Sequence, residues 1–124
     1  MIKSIDHFVI TTGDLDACLH FYSDILGMEH RLTGGQHALH FGNQKINLHA
    51  RPHEFEPSAT NAVGGSQDFC LISDGDIYEI KEELEKSGIE IVEGVVERNG
   101  AMGPMDSIYM FDPVGNLVEI AVYR

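Results

Sequence analysis

The stretches His7-Phe8-Val9-Ile10-Thr11 and Asp68-Phe69-Cys70-Leu71-Ile72 resemble each other and decide the fold. In both, apolar residues at the second and fourth positions alternate with their neighbours, which is typical of a half-buried strand. An offset of 61 residues carries the first stretch onto the second and also carries Gly27 onto Gly88. Each glycine ends a helical pattern that follows its strand, so the chain repeats a strand–helix unit.

Three more strand-like runs follow each predicted helix. They cover residues 28–32, 37–41 and 45–50 in the first half, and 89–96, 107–111 and 117–123 in the second half. An offset of 72 aligns Ile46 with Val118 and Asn47 with Glu119. The sequence therefore predicts two β-α-β-β-β modules, which is an α+β fold.

A four-stranded module with one helix cannot bury both faces of its sheet alone. We therefore predict that the modules pair in a single domain, as a curved mixed sheet around a pocket. Module one covers residues 1–51 and module two covers residues 66–124. Residues 52–65, which include prolines and glycines, are expected to form the connector.

Composition narrows the class of protein. The 124 residues carry 20 acidic and 8 basic side chains, for a net charge of -12. This charge argues against nucleic acid as the main partner. The longest apolar runs are only a few residues, and the N-terminus lacks a secretory pattern, so we expect a cytoplasmic protein without a membrane partner.

Polar side chains gather on one face of the predicted sheets. Because side chains alternate along a strand, the face away from the helices is expected to hold five of them. They are His7, Asn47, His49, Asp68 and Glu119. All seven histidines lie within the first 53 residues, so the second half must supply carboxylates to any shared site. Imidazole and carboxylate together suit a divalent ion such as Zn²⁺, Fe²⁺, Mn²⁺, Ni²⁺ or Co²⁺, although each residue alone could simply face solvent.

Residues 98–104 form a glycine-containing stretch between two strands. We predict a mobile flap over the pocket, in which Arg98 anchors a carboxylate of the substrate; a plain surface loop is the alternative. Tyr109 is expected to line the wall of the same pocket and to contact the substrate. Cys18 and Cys70 fall in helical and strand patterns, and both are expected to be small core residues.

Three longer motifs carry a resemblance to a known superfamily. They are Ile5-Asp6-His7-Phe8-Val9-Ile10, Phe21-Tyr22-Ser23-Asp24-Ile25-Leu26-Gly27-Met28, and Phe111-Asp112-Pro113-Val114-Gly115-Asn116-Leu117-Val118-Glu119-Ile120. On these residues the chain resembles the vicinal oxygen chelate superfamily. Residues 41–49, 55–57 and 103–109 are similar, more narrowly, to the branch with glyoxalase domain-containing protein 5 and bacterial virulence proteins.

The resemblance implies metal ligands on the first and last strand of each module. Those positions are His7, Asn47, Asp68 and Glu119. Glyoxalase I has a carboxylate at the position of Asn47, so we expect His49 to bind the metal in its place, or in the second shell, and Asn47 to contact the substrate. Glu119 is the expected catalytic base. The resemblance also implies a homodimer, with the modules paired within one chain or between two.

The superfamily includes several chemistries, so more than one activity is open. We expect a metal-dependent enzyme similar to glyoxalase I, which isomerises a thiol adduct of a 2-oxoaldehyde. Extradiol ring cleavage and thiol transfer are alternatives within the same superfamily. A metal-free binding protein of the bleomycin-resistance type is an alternative from another class, and the net charge of -12 is compatible with a cationic ligand.

Overall fold

Strands and helices follow each other in an order that occurs twice along the chain. The computed structural model describes all residues from 1 to 124. The first half contains β1 (His7–Thr11), α1 (Leu15–Leu19, continued by a π-helical segment, His20–Ile25), β2 (Glu29–Thr33), β3 (Gln36–Phe41) and β4 (Gln44–His49). The second half contains β5 (Asp68–Ile72), α2 (Ile77–Lys86), β6 (Glu93–Gly100), β7 (Gly103–Phe111) and β8 (Leu117–Tyr123). The predicted α+β fold with two β-α-β-β-β modules is confirmed.

Each half builds its own four-stranded mixed sheet. The strand orders are β1-β4-β3-β2 and β5-β8-β7-β6, so the first and last strands of each half are neighbours. These neighbours are parallel, with His7 opposite Lys45 in one sheet and Asp68 opposite Leu117 in the other. Offsets of 61 and 72 carry the first pair onto the second. The internal repeat therefore extends from the sequence to the register of the strands.

The chain divides into two compact units that largely follow the two modules. The first unit contains residues 1–67 with residues 113–115, and the second contains residues 68–112 and 116–124. The connector predicted at residues 52–65 thus belongs to the first unit. The assignment of both modules to a single domain stays a prediction.

The core of each unit lies on the sheet face that the helical segment of that unit completes. Fully buried strand residues are Ile10, Leu39 and Ile46 in the first unit, and Ile108, Met110 and Val118 in the second. The helical segments add Cys18 and Leu84 to these cores. Because alternate strand residues face opposite ways, the other face of each sheet is left for the polar side chains.

The predicted helix ends are present in both modules. The side chain of Asp14 accepts a hydrogen bond from the backbone of Ala17 at 3.1 Å, and Asp76 accepts one from the backbone of Tyr78 at 2.8 Å. These caps satisfy amide groups that have no partner within the helix. Gly27 and Gly88 follow the helical segments with φ of +80° and +87°, which favours glycine. Neither helix is long and apolar enough to cross a membrane.

The first helical segment differs from the continuous α-helix that its spacing predicts. From His20 onward it widens into a π-helical segment that ends at Ile25. Phe21 and Tyr22 are adjacent in sequence, yet both are buried and pack edge to face with ring centroids 4.8 Å apart. A wider turn brings consecutive residues closer to one face, which allows both rings to enter the core.

The flap predicted at residues 98–104 is wrong. Strand β6 continues to Gly100 and β7 begins at Gly103, so Arg98 lies within a β-hairpin and the connecting turn is short. The strand expected at residues 89–96 also begins later, at Glu93. Gly100 permits this hairpin because a Cβ atom there would lie 2.5 Å from the hydroxyl oxygen of Tyr123.

The turn between β7 and β8 is held by a buried pair. The Asp112 carboxylate accepts hydrogen bonds from the backbone amide of Asn116 at 2.9 Å and from its side-chain amide at 2.7 Å. Both residues are buried, with 5% and 1% of their surface exposed. Because β8 begins at the next residue, this turn fixes the start of the strand that carries Glu119.

Candidate functional site

The polar face of the first module is built by β1 and β4. The parallel register places Val9 opposite Asn47 and Thr11 opposite His49. Paired residues on neighbouring strands point to the same face, and here it is the face opposite buried Ile10. We call these residues, together with His7, the first-module face.

His7 presents one free ring nitrogen. Its Nδ1 donates to the Asp6 carboxylate at 2.7 Å, which leaves Nε2 without a partner. This bond is the main cause that holds the pKa of the Asp6 carboxyl below its ordinary value. A carboxylate on one ring nitrogen is the usual arrangement for a histidine whose other nitrogen binds a metal.

Asn47 holds an unpaired acceptor in a buried position. Only 5% of the residue is exposed, and its Oδ1 atom has no hydrogen-bond partner. Such an atom costs free energy unless a donor or a cation reaches it, so buried groups of this kind are rare and often functional.

His49 lies further along the same strand and is also buried, with 6% of its surface exposed. Its ring packs against Phe55 with centroids 5.1 Å apart. It also lines a cavity of about 480 Å³ between the strand ends and residues 57–67. Its surroundings are therefore a hydrophobic ring and a cavity wall, and no carboxylate contacts it.

The polar face of the second module centres on Glu119 in β8. Cys70 of β5 and Tyr109 of β7 lie opposite Glu119 on either side. The hydroxyl of Ser107, a fully buried residue, donates to Glu119 Oε2 at 2.6 Å. This bond holds the carboxylate, which also interacts with the Cys70 thiol and the Tyr109 hydroxyl. We call Glu119 and these neighbours, with Arg98, the second-module face.

Arg98 and Tyr109 form a second pair on this face. Arg98 Nε donates to the Tyr109 hydroxyl oxygen at 3.0 Å, and the guanidinium carbon lies 5.4 Å from the centroid of the tyrosine ring. Partial burial raises the pKa of Tyr109, the bond from Arg98 opposes this, and Glu119 adds to the rise. Tyr109 therefore keeps its proton at neutral pH. Its hydroxyl oxygen accepts from Arg98, and its hydroxyl group also interacts with the Glu119 carboxylate.

Cys70 is not the core residue that its strand pattern predicts. It is exposed, because β5 is an edge strand whose outer face also carries Asp68. The packing around its sulfur still removes part of its hydration. This loss, and next the Glu119 carboxylate, raise the pKa of the thiol to about 12. Cys70 is therefore a protonated thiol at neutral pH.

We predict that iodoacetamide alkylates Cys70 more slowly than it alkylates an ordinary exposed cysteine. At pH 8 a thiol with a raised pKa is almost entirely protonated, and only the thiolate reacts. Glu119→Gln removes the neighbouring negative charge but not the desolvation, so the rate with iodoacetamide is expected to rise roughly 3- to 10-fold. Mass spectrometry of proteolytic peptides measures the alkylation rate and distinguishes modification of Cys70 from modification of buried Cys18. Glu90→Gln, which removes an exposed acid elsewhere, should change nothing; equal rates in both variants would contradict this account.

The structure brings some of the expected site residues together and separates others. Glu119, Tyr109 and Arg98 share one face. Asp68 is exposed on the same sheet, opposite Leu117 and two residue pairs before Glu119. No three His, Cys, Asp or Glu side chains of the chain are placed to hold one metal ion. Sequence reasoning missed Ser107, although its spacing of two from Tyr109 along β7 would have placed it on this face.

A comparison of the sequence with known families matches residues 4–120 to the Glyoxalase/Bleomycin resistance protein/Dioxygenase superfamily. The chain belongs to this superfamily. Two relatives support the narrower resemblance. The chain is 46% identical to the glyoxalase domain-containing protein RDO1 of Mycosarcoma maydis, over 99% of this chain and 70% of that protein. It is also 46% identical to the virulence protein STM3117 of Salmonella typhimurium, over 99% and 86% of the two chains.

Solved structures of this superfamily share the fold. The crystal structure of the virulence protein STM3117 has a TM-score of 0.96 at 45% identity and covers 100% of this chain and 99% of its own. Lactoylglutathione lyase from Agrobacterium tumefaciens has a TM-score of 0.76 at 27% identity, with 98% and 95% covered. The superfamily member described here thus has a lyase among its structural neighbours, while the more similar virulence protein is not named for a reaction.

Proposed function

We propose that this superfamily member is a metal-dependent enzyme that isomerises a small thiol adduct of a 2-oxoaldehyde. The observation that supports the proposal is the Glu119 carboxylate, whose Oε2 accepts a hydrogen bond from the buried Ser107 hydroxyl at 2.6 Å. A carboxylate held in position in this way can take and return a proton. The likeness to lactoylglutathione lyase supports the choice of reaction.

The chemistry of the candidate donors suits a divalent metal ion, while no three His, Cys, Asp or Glu side chains of the chain are placed around one point. Asn47 Oδ1 is a buried oxygen that lacks a partner, and the bond from His7 to Asp6 leaves the other nitrogen of that imidazole free. We propose His7 and Asn47 as the donors from module one, and Asp68 and Glu119 as those from module two. Asn47 replaces His49 in this set because His49 packs against Phe55 and lines a cavity.

The donor set favours one kind of ion. One imidazole nitrogen and three oxygens, one of them an amide carbonyl, suit Mn²⁺ better than Zn²⁺ or Ni²⁺. When bound, the ion supplies positive charge that stabilises an anion developing on two neighbouring oxygens of the substrate. The proposal also includes a homodimer, because the superfamily resemblance implies one.

Glu119 moves the proton in the proposed reaction. The substrate carries a carbonyl carbon next to a carbon that bears a hydroxyl group and the sulfur. Glu119 removes the hydrogen of the sulfur-bearing carbon as a proton and returns it to the former carbonyl carbon. The hydroxyl proton passes to the other oxygen, so the product is a 2-hydroxy thioester. The atoms balance, and no oxidant or reductant is required.

Arg98 and Tyr109 orient the substrate in this proposal. Arg98 bonds Tyr109 through Nε and the backbone of Glu97 through one terminal nitrogen, which leaves the other terminal nitrogen for a carboxylate of the thiol. The Tyr109 hydroxyl, which interacts with the Glu119 carboxylate, donates to a substrate oxygen in this proposal. Because charge-assisted bonds are strong, the pair should select an anionic thiol adduct such as that of glutathione.

Turnover of a defined substrate tests the proposal. The protein, freed of metal and reloaded with Mn²⁺, is expected to convert the adduct of glutathione and methylglyoxal to its thioester, measured by absorbance. The adduct of uncharged 2-mercaptoethanol should react at least about 10-fold less efficiently because it lacks the carboxylates. No turnover of either adduct with Mn²⁺, Zn²⁺, Ni²⁺, Co²⁺ or Fe²⁺ would exclude this reaction.

A metal-free binding protein is the second candidate. The observation that favours it is that no three potential ligands of the chain are placed around one ion. The superfamily also takes part of its name from bleomycin resistance proteins. In that case the net charge of -12 favours a cationic ligand. Saturable binding of bleomycin by calorimetry in the presence of EDTA, without turnover of the thiol adducts, would favour this candidate.

A further inference from the structure

The cavity under residues 57–67 of the first unit has the size and lining of a ligand site. From these features we infer that it binds a small uncharged molecule with an apolar body and one hydroxyl or carbonyl group. None of the lining residues is His7, Asn47, Asp68 or Glu119, so the inference does not rest on the proposed reaction. The cavity measures about 480 Å³, within the range of small-molecule sites.

The apolar part of the lining accounts for the body of the ligand. Val9 contributes from β1, and Pro57, Ala59 and Ala62 contribute from the segment above. These short side chains leave room between the strands and the segment. Transfer of an apolar group from water into such a space is favourable by roughly 25 cal/mol per Å² of surface removed from water.

Six polar side chains line the cavity, and two of them account for the polar group of the ligand. Ser58, Ser66 and Gln67 already form hydrogen bonds within the chain, and Asn61 is exposed. The His49 ring and the Thr11 hydroxyl line the cavity and lie opposite each other in the strand register. They are 6% and 7% exposed, and neither side chain has a hydrogen-bond partner within the chain. Because both side chains line the cavity, a ligand oxygen at this end would be within reach of their polar atoms and could form a hydrogen bond with them.

The cavity lining has no acidic residue, lysine or arginine, and this favours a neutral ligand. An ionised ligand would lose hydration there without gaining an opposite charge, which is costly. The ligand of this cavity is therefore expected to be neutral, whereas the substrate that Arg98 would bind is an anion.

The segment that covers the cavity is tied to the sheet. The Gln67 side chain donates to the backbone carbonyl of Val9 at 3.2 Å, and the Glu54 carboxylate accepts from the backbone of Ala50 at 2.9 Å. Gly65 lies so close to the Val114 carbonyl that a Cβ atom would be 2.9 Å from it. These contacts hold both ends of the wall, which preforms the cavity for a ligand.

Binding of p-cresol tests the inference, since it combines an apolar ring with one hydroxyl group. We expect saturable shifts of the His49 ring nitrogen signals in ¹H–¹⁵N spectra, with a dissociation constant of about 1 mM or tighter. Toluene, which lacks the hydroxyl, is expected to bind at least about 5-fold more weakly. 4-Methylbenzoate, which is charged, is expected to bind at least about 10-fold more weakly.

Two variants localise the binding. Ala62→Trp fills the cavity and is expected to abolish p-cresol binding, while Thr60→Trp adds the same side chain at an exposed position outside the lining and should leave it unchanged. His49→Phe keeps the apolar volume and should reduce p-cresol affinity to that of toluene. Unshifted His49 signals at about 10 mM p-cresol, or equal affinity in the wild type and Ala62→Trp, would overturn the inference.

Discussion

Replacement of Glu119 by Gln is expected to lower turnover of the glutathione–methylglyoxal adduct by about 10³-fold, because an amide cannot take up a proton. The same change should weaken Mn²⁺ binding by about 100-fold or more, because a charged ligand is lost. The fold should survive. Gln retains an acceptor for the Ser107 hydroxyl, which donates to Glu119 at 2.6 Å in the native chain. Steady-state kinetics and a Mn²⁺ titration followed by electron paramagnetic resonance measure both effects.

A matched variant separates the local effect from the change in net charge. Glu90 is exposed and lies between α2 and β6, so Glu90→Gln removes one negative charge from a residue that belongs to neither polar face. Its turnover and Mn²⁺ affinity should stay within about twofold of the wild type, since surface charges are screened. If Glu119→Gln turned over the substrate as fast as Glu90→Gln does, Glu119 would not be the base.

Replacement of Asp112 by Ala is expected to destabilise the protein by about 3 kcal/mol. The Asp112 carboxylate accepts bonds of 2.9 Å and 2.7 Å from Asn116, and both residues are buried. The substitution leaves two buried N–H groups without this acceptor, and hydrogen bonds to charged groups contribute roughly 1.5–3 kcal/mol each. For a chain of this length the melting temperature should fall by about 12 °C. Calorimetry or thermal unfolding followed by circular dichroism measures it.

The corresponding turn of the first module supplies the control. Asn43, in the turn between β3 and β4, is exposed and makes no comparable side-chain bond. Asn43→Ala should therefore change the free energy of unfolding by no more than about 0.5 kcal/mol. A similar decrease in the free energy of unfolding in both variants would show that the buried pair of Asp112 and Asn116 does not stabilise the second turn more than an exposed turn residue does.

Local sequence patterns predicted most of the fold because the repeat depends on interactions between residues that are close in sequence. The caps at Asp14 and Asp76 and the glycines after each helix act within a few residues, so they are visible in the sequence. The two offsets that align the modules also relate the strand register of the first sheet to that of the second. Superfamily membership follows from the same features.

Features that depend on long-range packing were not predictable in the same way. The glycines near Arg98 were interpreted as a flap because nothing local shows that the Tyr123 ring fills the space above Gly100. The exposure of Cys70 depends on the position of β5 at the edge of its sheet. Alternation alone placed His49 beside Asn47, but not against Phe55, whose contact comes from the folded connector.

The central proposal is that His7, Asn47, Asp68 and Glu119 bind a divalent metal ion. The most direct measurement is the metal content of protein expressed without a histidine tag, by mass spectrometry after dialysis against Mn²⁺. We predict about one ion per chain in the wild type and less than about 0.1 in His7→Ala and in Glu119→Gln. Fewer than about 0.1 ions per chain in the wild type, or an unchanged content in both variants, would contradict the claim.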